Sequence, residues 1–141
     1  MKAFILTSVL LLSVHMGFSQ TRFMVSAGMD VIKTDFQAPF KKFQGVIELN
    51  YFIRQKLSLN AGYEAWTNGK NYGSLGARFY LFSFIYIKPR LLYNSEDLNG
   101  SIGIGYKNFL GRRWRWESSV DYYTDSPEIA LRTGLAYIFT K

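Results

Sequence analysis

The chain contains no cysteine, and its 141 residues include only three prolines and one histidine. The absence of cysteine excludes a disulfide framework, a zinc knuckle and a thiolate-held iron–sulfur cluster. The shortage of proline, together with 48% apolar residues, excludes a low-complexity or disordered chain. A chain of this length forms one domain, or at most two very small ones. The 18% aromatic content and the formal net charge of +7 are the features that need an explanation.

The first nineteen residues have the pattern of a secretory signal peptide. Lys2 gives a positive start, residues 3–18 are mostly apolar, and Gly17 and Ser19 are small residues placed as a signal cleavage site requires. The apolar stretch is short for a transmembrane helix. We therefore expect residues 1–19 to be removed on export.

The exported part, residues 20–141, alternates between apolar and polar positions with a period of two. Eight segments show the alternation: residues 23–32, 45–54, 57–66, 72–81, 85–93, 101–110, 114–123 and 128–139. One parity of each segment is mainly apolar and carries no charge, whereas the other parity carries charged and small residues. A period of two is typical of a β-strand with one apolar and one polar face, and none of these segments shows the period of a helix. The sequence predicts eight strands in one domain.

The connections between the segments alternate in length. Three are tight, at residues 54–56, 82–84 and 111–113, and four are mostly longer, at residues 34–44, 67–71, 94–100 and 124–127. An antiparallel meander needs this arrangement, with tight turns at one end and longer loops at the other. The sequence therefore predicts an all-β fold, an eight-stranded antiparallel up-and-down barrel.

Whether the apolar or the charged face points outward decides between a transmembrane and a soluble barrel. The apolar parity carries large aromatic residues: Phe23, Tyr51, Tyr63, Phe79, Tyr93, Tyr106, Trp114, Trp116, Tyr122, Tyr137 and Phe139. They are too bulky for the lumen of an eight-stranded barrel, and many lie near segment ends, where interfacial aromatic girdles belong. We expect a transmembrane barrel with its charged face inside. The alternative is a secreted soluble barrel that binds an apolar ligand in its interior.

The last segment carries a motif that is typical of bacterial outer-membrane barrels. Arg132, Gly134, Tyr137 and Phe139 follow the order polar-x-Gly-x-x-aromatic-x-aromatic. With its export signal and eight alternating segments, the chain resembles the small eight-stranded OmpX-like and OmpA-transmembrane-type barrel family. The resemblance implies an outer-membrane location. It also implies assembly by the barrel assembly machinery, with Gly134, Tyr137 and Phe139 as the contact residues.

The charged parity predicts a polar network inside the barrel. Its basic residues are Arg54, Arg78, Lys88, Arg90, Lys107, Arg115 and Arg132, and its acidic residues are Asp30, Glu48, Glu64, Glu117, Asp121 and Glu128. Unpaired buried charge is very costly, so we expect this nearly balanced set to pair and to plug the lumen. The alternative is a narrow channel for small polar solutes.

Turn lengths predict which lumenal residues lie opposite each other on neighbouring strands. A three-residue turn sets Lys107 opposite Glu117, and the two-residue turn that follows sets Ser119 opposite Arg132. Directly opposed Cβ atoms lie about 5 Å apart and diagonal ones about 7–8 Å apart. We therefore expect Glu117 to bridge Lys107 and Arg132, and Asp121 to share Arg132.

No motif for catalysis or for a cofactor is present. The only histidine, His15, lies in the predicted signal peptide, so the exported chain lacks the base of a Ser–His or Cys–His nucleophile. Lipid A deacylases and palmitoyltransferases of the family that the chain resembles depend on such a histidine. We expect no enzyme activity, no cofactor and no metal site. The net charge lies mainly in the signal, the turns and the loops, so we expect no nucleic-acid partner.

Two further features point to contacts outside the barrel. Phe40, Lys41, Lys42 and Phe43 interleave positive charge and aromatic rings in the longest loop, where they would engage lipopolysaccharide phosphates or a partner protein. The alternative is a solvated loop with snorkelling lysines. Pro89 removes a ladder donor from the fifth strand, so we expect a bulge or a partner subunit there. The chain would act as a structural protein or as a small accessory subunit of an envelope assembly, in contact with outer-membrane lipid.

Overall fold

The computed structural model describes residues 23–33, 44–66, 69–125 and 128–139. These residues form eight strands: β1 (Phe23–Lys33), β2 (Gln44–Arg54), β3 (Leu57–Trp66), β4 (Asn71–Tyr80), β5 (Ile85–Tyr93), β6 (Leu98–Phe109), β7 (Trp114–Tyr123) and β8 (Glu128–Phe139). Each strand pairs antiparallel with the next, and β8 pairs with β1, so the sheet closes on itself. The predicted eight-stranded up-and-down barrel is confirmed. The predicted signal peptide and the loop residues 40–43 lie outside the described residues.

Side chains alternate between the lumen and the outer surface, as the period of two predicts. In β4, Leu75 and Phe79 are exposed on the outside, whereas Tyr72, Ser74 and Arg78 are buried inside. The other strands repeat this arrangement, which places an apolar surface outside and a polar core inside. That is the construction of transmembrane β-barrels. The alternative of a soluble barrel with an apolar interior is wrong, because the interior is filled with charged residues.

No helix in the described part of the chain has the length and hydropathy that crossing a membrane requires.

The two ends of the barrel differ in aromatic content. We call the end with the tight turns the turn rim (residues 54–56, 81–84 and 110–113) and the opposite end the loop rim (including residues 69–70, 94–97 and 124–125). Outer-face rings near the turn rim pack in pairs, with centroids 5.2 Å apart for Phe23–Tyr51, 5.9 Å for Phe84–Tyr106 and 5.0 Å for Trp114–Tyr137. Near the loop rim the outer aromatics include Tyr63, Tyr93 and Tyr122. The expected aromatic girdle is therefore denser at the turn rim.

Two pairing irregularities reverse the face of nearby residues. The register against β8 shifts between Asp30 and Ile32, so that Ile32 is 53% exposed outside and Lys33 is 2% exposed inside. The alternation predicted Ile32 inside, which is wrong because one extra residue in a bulge inverts the pattern that follows. A second shift, between Phe52 and Arg54 against β3, leaves Arg54 exposed at the turn rim. The prediction that Arg54 lies in the lumen is wrong for the same reason.

Pro89 interrupts a ladder without shifting the register of its strand. On one side it pairs in register with Ile102 of β6. On the other side the ladder to β4 stops after the pair Gly76–Arg90 and resumes in the same register at Phe79–Ile87. Proline lacks the N–H that the missing bonds require. The bulge expected at Pro89 is therefore absent, and β5 keeps its alternation.

A pair of glycines lies where the last strand meets the first. Gly28 of β1 and Gly134 of β8 are direct partners. A Cβ on Gly134 would overlap the backbone of Ala27 and Gly28, and a Cβ on Gly28 would lie 2.9 Å from the carbonyl oxygen of Thr133. The missing side chains let the two strands approach closely. Gly134, which the sequence placed in an assembly motif, thus also closes the barrel.

Candidate functional site in the barrel lumen

Nine charged side chains from seven strands meet inside the barrel. We call them the lumenal network: the acids Asp30, Glu48, Glu64, Glu117 and Asp121 and the bases Arg78, Lys88, Arg90 and Arg132. None of them is more than 6% exposed. All nine belong to the charged parity of the sequence. Closure of the sheet brings together residues that are far apart in the chain.

Arg132 joins three of these acids. Its Nε lies 2.6 Å from Asp30 Oδ1, and its Nη1 donates to Glu64 Oε1 at 3.0 Å. Its Nη2 donates to the Tyr123 hydroxyl at 3.0 Å, and Nε lies 3.8 Å from Asp121 Oδ2. Asp121 therefore shares Arg132, as the register predicted. The guanidinium fork suits this role because its donors point in several directions at once.

Arg90 and Lys88 connect the remaining carboxylates of β2, β3 and β7. Arg90 Nη1 contacts Glu64 Oε1 and lies 3.2 Å from Glu48 Oε1, while Nη2 lies 3.6 Å from Asp121 Oδ1. Lys88 Nζ lies 3.6 Å from both Glu48 Oε1 and Asp121 Oδ1. Each of these acids is thus shared between bases, which offsets the cost of burying it.

Arg78 spans the lumen between β2 and β7. Its Nη1 donates to both carboxylate oxygens of Glu117 at 2.9 Å. Its Nη2 donates to Glu48 Oε2 at 2.6 Å and to Ser26 Oγ at 3.2 Å. Charge-assisted hydrogen bonds of this length are the strong ones in proteins. Arg78 therefore holds one carboxylate on each side of the barrel.

The predicted bridge from Glu117 to Lys107 and Arg132 does not form. The predicted register is correct, since Lys107 lies opposite Glu117 and Ser119 lies opposite Arg132. The Nζ of Lys107 nevertheless lies 4.2 Å from the centroid of the Tyr80 ring, and the carboxylate of Glu117 faces Arg78. The prediction failed because it considered only neighbouring strands, whereas the lumen is narrow enough for a long side chain to cross it.

An aromatic layer covers the network on the side of the loop rim. Lys33 Nζ lies 2.8 Å from Glu128 Oε2 and 3.7 Å from the centroid of the Trp66 ring. Trp66 in turn contacts Tyr72 and Tyr123, with centroids 4.9 and 5.9 Å apart. Sequence reasoning missed Lys33 because only the bulge in β1 turns it inward. It takes the place of Arg54 on the inner face, whose described residues, including Arg115 at the mouth of the barrel, number seven bases and six acids.

A second aromatic layer lies towards the turn rim. Phe52 stacks on Tyr80 with centroids 5.7 Å apart, and Tyr80 contacts Tyr86 at 5.6 Å. Beyond these rings, Arg115 Nη1 donates to the carbonyl oxygens of Gly111 at 2.7 Å and Trp114 at 2.8 Å. Arg115, predicted in the lumen, is thus tied to the backbone of a turn at the mouth of the barrel.

Two glycines of β6 provide space for bulky lumenal groups. A Cβ on Gly103 would overlap the carboxylate of Asp121, and a Cβ on Gly105 would overlap the ring of Tyr86. Small residues on the charged parity are therefore required by large neighbours inside a narrow barrel.

Little space remains between the charged side chains. A cavity of about 20 Å³ lies among Ser26, Glu48, Arg78, Lys88, Glu117 and Arg132. This volume holds one or two water molecules. Among the described residues, no three histidine, cysteine or acidic side chains are arranged to hold a metal ion.

The remaining residues of the assembly motif lie on the outer face of β8. Tyr137 packs edge-on against Trp114 and against Phe139, whose ring centroid is 4.9 Å away. Arg113 Nη1, from the turn between β6 and β7, donates to the Tyr137 hydroxyl at 3.1 Å. The motif thus forms part of the aromatic girdle at the turn rim.

The closed sheet, the apolar outer face and the charged lumen together define the fold class of the transmembrane β-barrels. No family model and no curated protein sequence matches the chain. Its fold is similar to a barrel from the de novo design of transmembrane β-barrels, with a TM-score of 0.71 and 19% identity over 85% of this chain and 96% of that one. It is also similar to the N-terminal β-barrel domain of Pseudomonas aeruginosa OprF, with a TM-score of 0.66 and 18% identity over 85% and 98%.

The solution NMR structure of the designed protein TMB2.3 has a TM-score of 0.69 and 16% identity over 86% of this chain and 96% of that one. At such identities the likeness shows the fold alone. It supports an eight-stranded membrane-type barrel and does not single out the OmpX-like family.

Proposed function

We propose that the chain is an integral protein of the bacterial outer membrane whose barrel is closed to solutes. It acts without catalysis, as a structural protein or as a small accessory subunit of an envelope assembly. The observation that carries the proposal is the lumenal network, whose paired side chains cross the middle of the barrel beside a cavity of about 20 Å³. The apolar outer face and the fold shared with the OprF barrel domain support the location.

A solute could cross this barrel only by breaking buried ion pairs. Arg90 and Arg132 both contact Glu64, and Arg78 joins Glu48 to Glu117. Separating one buried pair costs on the order of 3–5 kcal/mol when its partner stays buried. Aromatic layers on both sides of the network add to this barrier. A closed lumen therefore agrees better with the structure than the alternative of a narrow channel.

The lumenal carboxylates support the non-catalytic part of the proposal. Each carboxylate of the lumenal network has an arginine or lysine partner, and the cavity beside them is too small for a substrate. Carboxylates that act as a general acid or base need access to the reacting group. We infer that these side chains serve the packing and charge pairing of the lumen.

Conductance in planar bilayers tests whether the lumen is closed. We expect no conductance steps from the wild-type barrel. The charge-neutral double variant Glu64→Ala/Arg90→Ala removes a central pair and should give measurable steps, which shows that the assay detects an opened lumen. Steps of equal size from both proteins would contradict the closed barrel and favour the channel.

Cell fractionation and mass measurement test the location. We expect the protein in the outer-membrane fraction, extracted only by detergent, with heat-modifiable migration on a denaturing gel. Its N-terminus should be Gln20, because residues 1–19 are the proposed signal. A protein found free in the periplasm would contradict the proposal.

We propose further that the end of β8 is read by the barrel assembly machinery. Deletion of residues 137–141 should leave unfolded chain in the periplasm, whereas deletion of residues 140–141 should be tolerated because Tyr137 and Phe139 remain. Normal surface assembly of the longer deletion would contradict this role. The particle mass after extraction in mild detergent distinguishes a lone barrel from an accessory subunit of a larger assembly.

A further inference from the structure

The described turns of the turn rim carry positive charge. Arg54 and Lys56 lie at the hairpin between β2 and β3, and Arg112 and Arg113 lie at the hairpin between β6 and β7. All four side chains are exposed. The described turns of this rim contain no aspartate or glutamate.

The loop rim has the opposite character. Its described residues include the acids Glu96, Asp97 and Asp125, and Lys70 Nζ lies 3.4 Å from Asp97 Oδ2. The described residues of the two rims therefore differ in the sign of their charge. The basic rim is also the one with the denser aromatic girdle, so charge and interfacial rings occur together.

A groove of about 310 Å³ indents the outer surface between β5 and β8. Its lining includes Ile85, Ile104, Tyr106, Ser118, Val120 and Leu131. The surface is indented there because Ser118 is short and stands between its bulkier partners Tyr106 and Thr133. The hydroxyl of Ser118 lies 3.4 Å from Thr133 Oγ1, so it is satisfied within the wall.

The same hairpin supplies the groove and two of the cations. Tyr106 lies four residues and Ser118 five residues from the turn that carries Arg112 and Arg113, which is about 13–17 Å along a strand. In a membrane-inserted barrel this separation places the guanidinium groups at headgroup level and the groove in the hydrocarbon region. Arg113 donates one hydrogen bond to the hydroxyl of Tyr137. The other N–H groups of its guanidinium can therefore donate to a ligand.

We propose that the hairpin between β6 and β7 binds one anionic glycerophospholipid of the membrane, with its phosphate at Arg112 and Arg113 and an acyl chain in the groove. The proposal rests on the proposed function, since it requires a barrel in a bilayer. Guanidinium groups match phosphate oxygens in geometry as well as in charge. The absence of acidic side chains from the described turns of this rim makes the rim complementary to an anionic headgroup.

Native mass spectrometry of the refolded protein tests the site. The protein in detergent is incubated with equal amounts of phosphatidylglycerol, phosphatidylcholine and lipid A, and we expect one phosphatidylglycerol to be retained in preference. Arg112→Gln/Arg113→Gln should weaken this binding roughly thirtyfold, because each cation near a lipid surface contributes about a factor of five. Ser118→Phe, which fills the groove, should also abolish the retained lipid.

The matched control removes the same charge from the opposite hairpin of the same rim. Arg54 and Lys56 lie four strands away around the barrel. The variant Arg54→Gln/Lys56→Gln should therefore bind phosphatidylglycerol as the wild type does. Equal weakening in both double variants would overturn the site in favour of diffuse attraction. Equal retention of phosphatidylcholine, or a preference for lipid A over phosphatidylglycerol, would also overturn it.

Each variant is checked for heat-modifiable migration and for insertion into phosphatidylcholine vesicles. A wild-type chain that inserts but retains no lipid contradicts the lipid site alone. A wild-type chain that does not insert contradicts the proposed function and the lipid site with it. Should Ser118→Phe fail to fold, the two double variants still decide the question, because their substitutions lie in exposed turns.

Discussion

Substitution of Glu117 tests whether Arg78 or Lys107 is its partner. Glu117→Gln preserves the side-chain volume but removes the negative charge that accepts two 2.9 Å hydrogen bonds from Arg78. Loss of one member of a buried ion pair costs on the order of 3–5 kcal/mol. Arg78 keeps Glu48 at 2.6 Å, so we expect the lower end, about 3 kcal/mol. Lys107→Met loses mainly the contact with the Tyr80 ring, which is worth about 1 kcal/mol.

Double-mutant cycles, measured by equilibrium urea unfolding in lipid vesicles, separate the two partners. Glu117→Gln combined with Arg78→Met should cost less than the sum of the single variants by about 1–3 kcal/mol. Glu117→Gln combined with Lys107→Met should be additive to within about 0.5 kcal/mol. Glu96→Gln, in an exposed loop, is the control and should leave the midpoint unchanged. Stronger coupling to Lys107 than to Arg78 would refute the pairing across the lumen.

Three further predictions concern the outer face, the loop rim and the strand closure. Leu75→Arg should cost about 2–4 kcal/mol by unfolding in lipid, and unchanged stability would contradict the face assignment. The hydrogen bond and the charge of Asp97 raise the pKa of Lys70 from its usual 10.5. The pair therefore stabilises the folded barrel below pH 10.5. The small difference in unfolding midpoint between wild type and Lys70→Gln should vanish as the pH rises through the raised pKa. Gly134→Ala should lower the free energy of unfolding by about 1–3 kcal/mol, measured by unassisted refolding, because the added Cβ would overlap the backbone of β1. Gly111→Ala is the control and should be neutral, because a Cβ there has no atom within contact distance. Equal effects of the two substitutions would contradict the close approach of β1 and β8.

The fold was predictable because the outer face of each strand meets an apolar environment and the inner face meets a narrow, polar lumen. After Asn71, the outer face of β4 is made of Gly73, Leu75, Ala77 and Phe79, whereas its inner face holds small residues, Arg78 and two tyrosines, so the sequence of this strand shows both faces directly. The alternation fails at Ile32 and Arg54, where a bulge adds one residue to a strand. A bulge has no strong composition of its own, since its position depends on how two strands pair. Lys33, a residue of the lumen, could therefore not be recognised from the alternation.

Partners across the lumen depend on how the sheet closes. The opposition of Lys107 and Glu117 follows from the length of one turn, and it was predictable for that reason. The pair of Arg78 on β4 with Glu117 on β7 joins strands three positions apart, so their distance is set by the diameter and stagger of the whole barrel. The stagger is a property of the closed barrel, so no local pattern in the sequence predicts it.

The same dependence gives the lumenal network a role in specifying the closed sheet. Most of its ion pairs form only when the strands close in this register, because most of the paired residues lie on strands that no hairpin joins. A slip of one residue in a strand would turn its lumenal charges onto the apolar outer face and its apolar residues inside. A slip of β4 would remove Arg78 from Glu117, whereas Glu48 would keep Arg90 and Lys88. The buried, unpaired charge of Glu117 would then cost several kcal/mol. Hydrophobic matching to the membrane fixes which face is outside, and the charged lumen fixes the register in which the first and last strands meet.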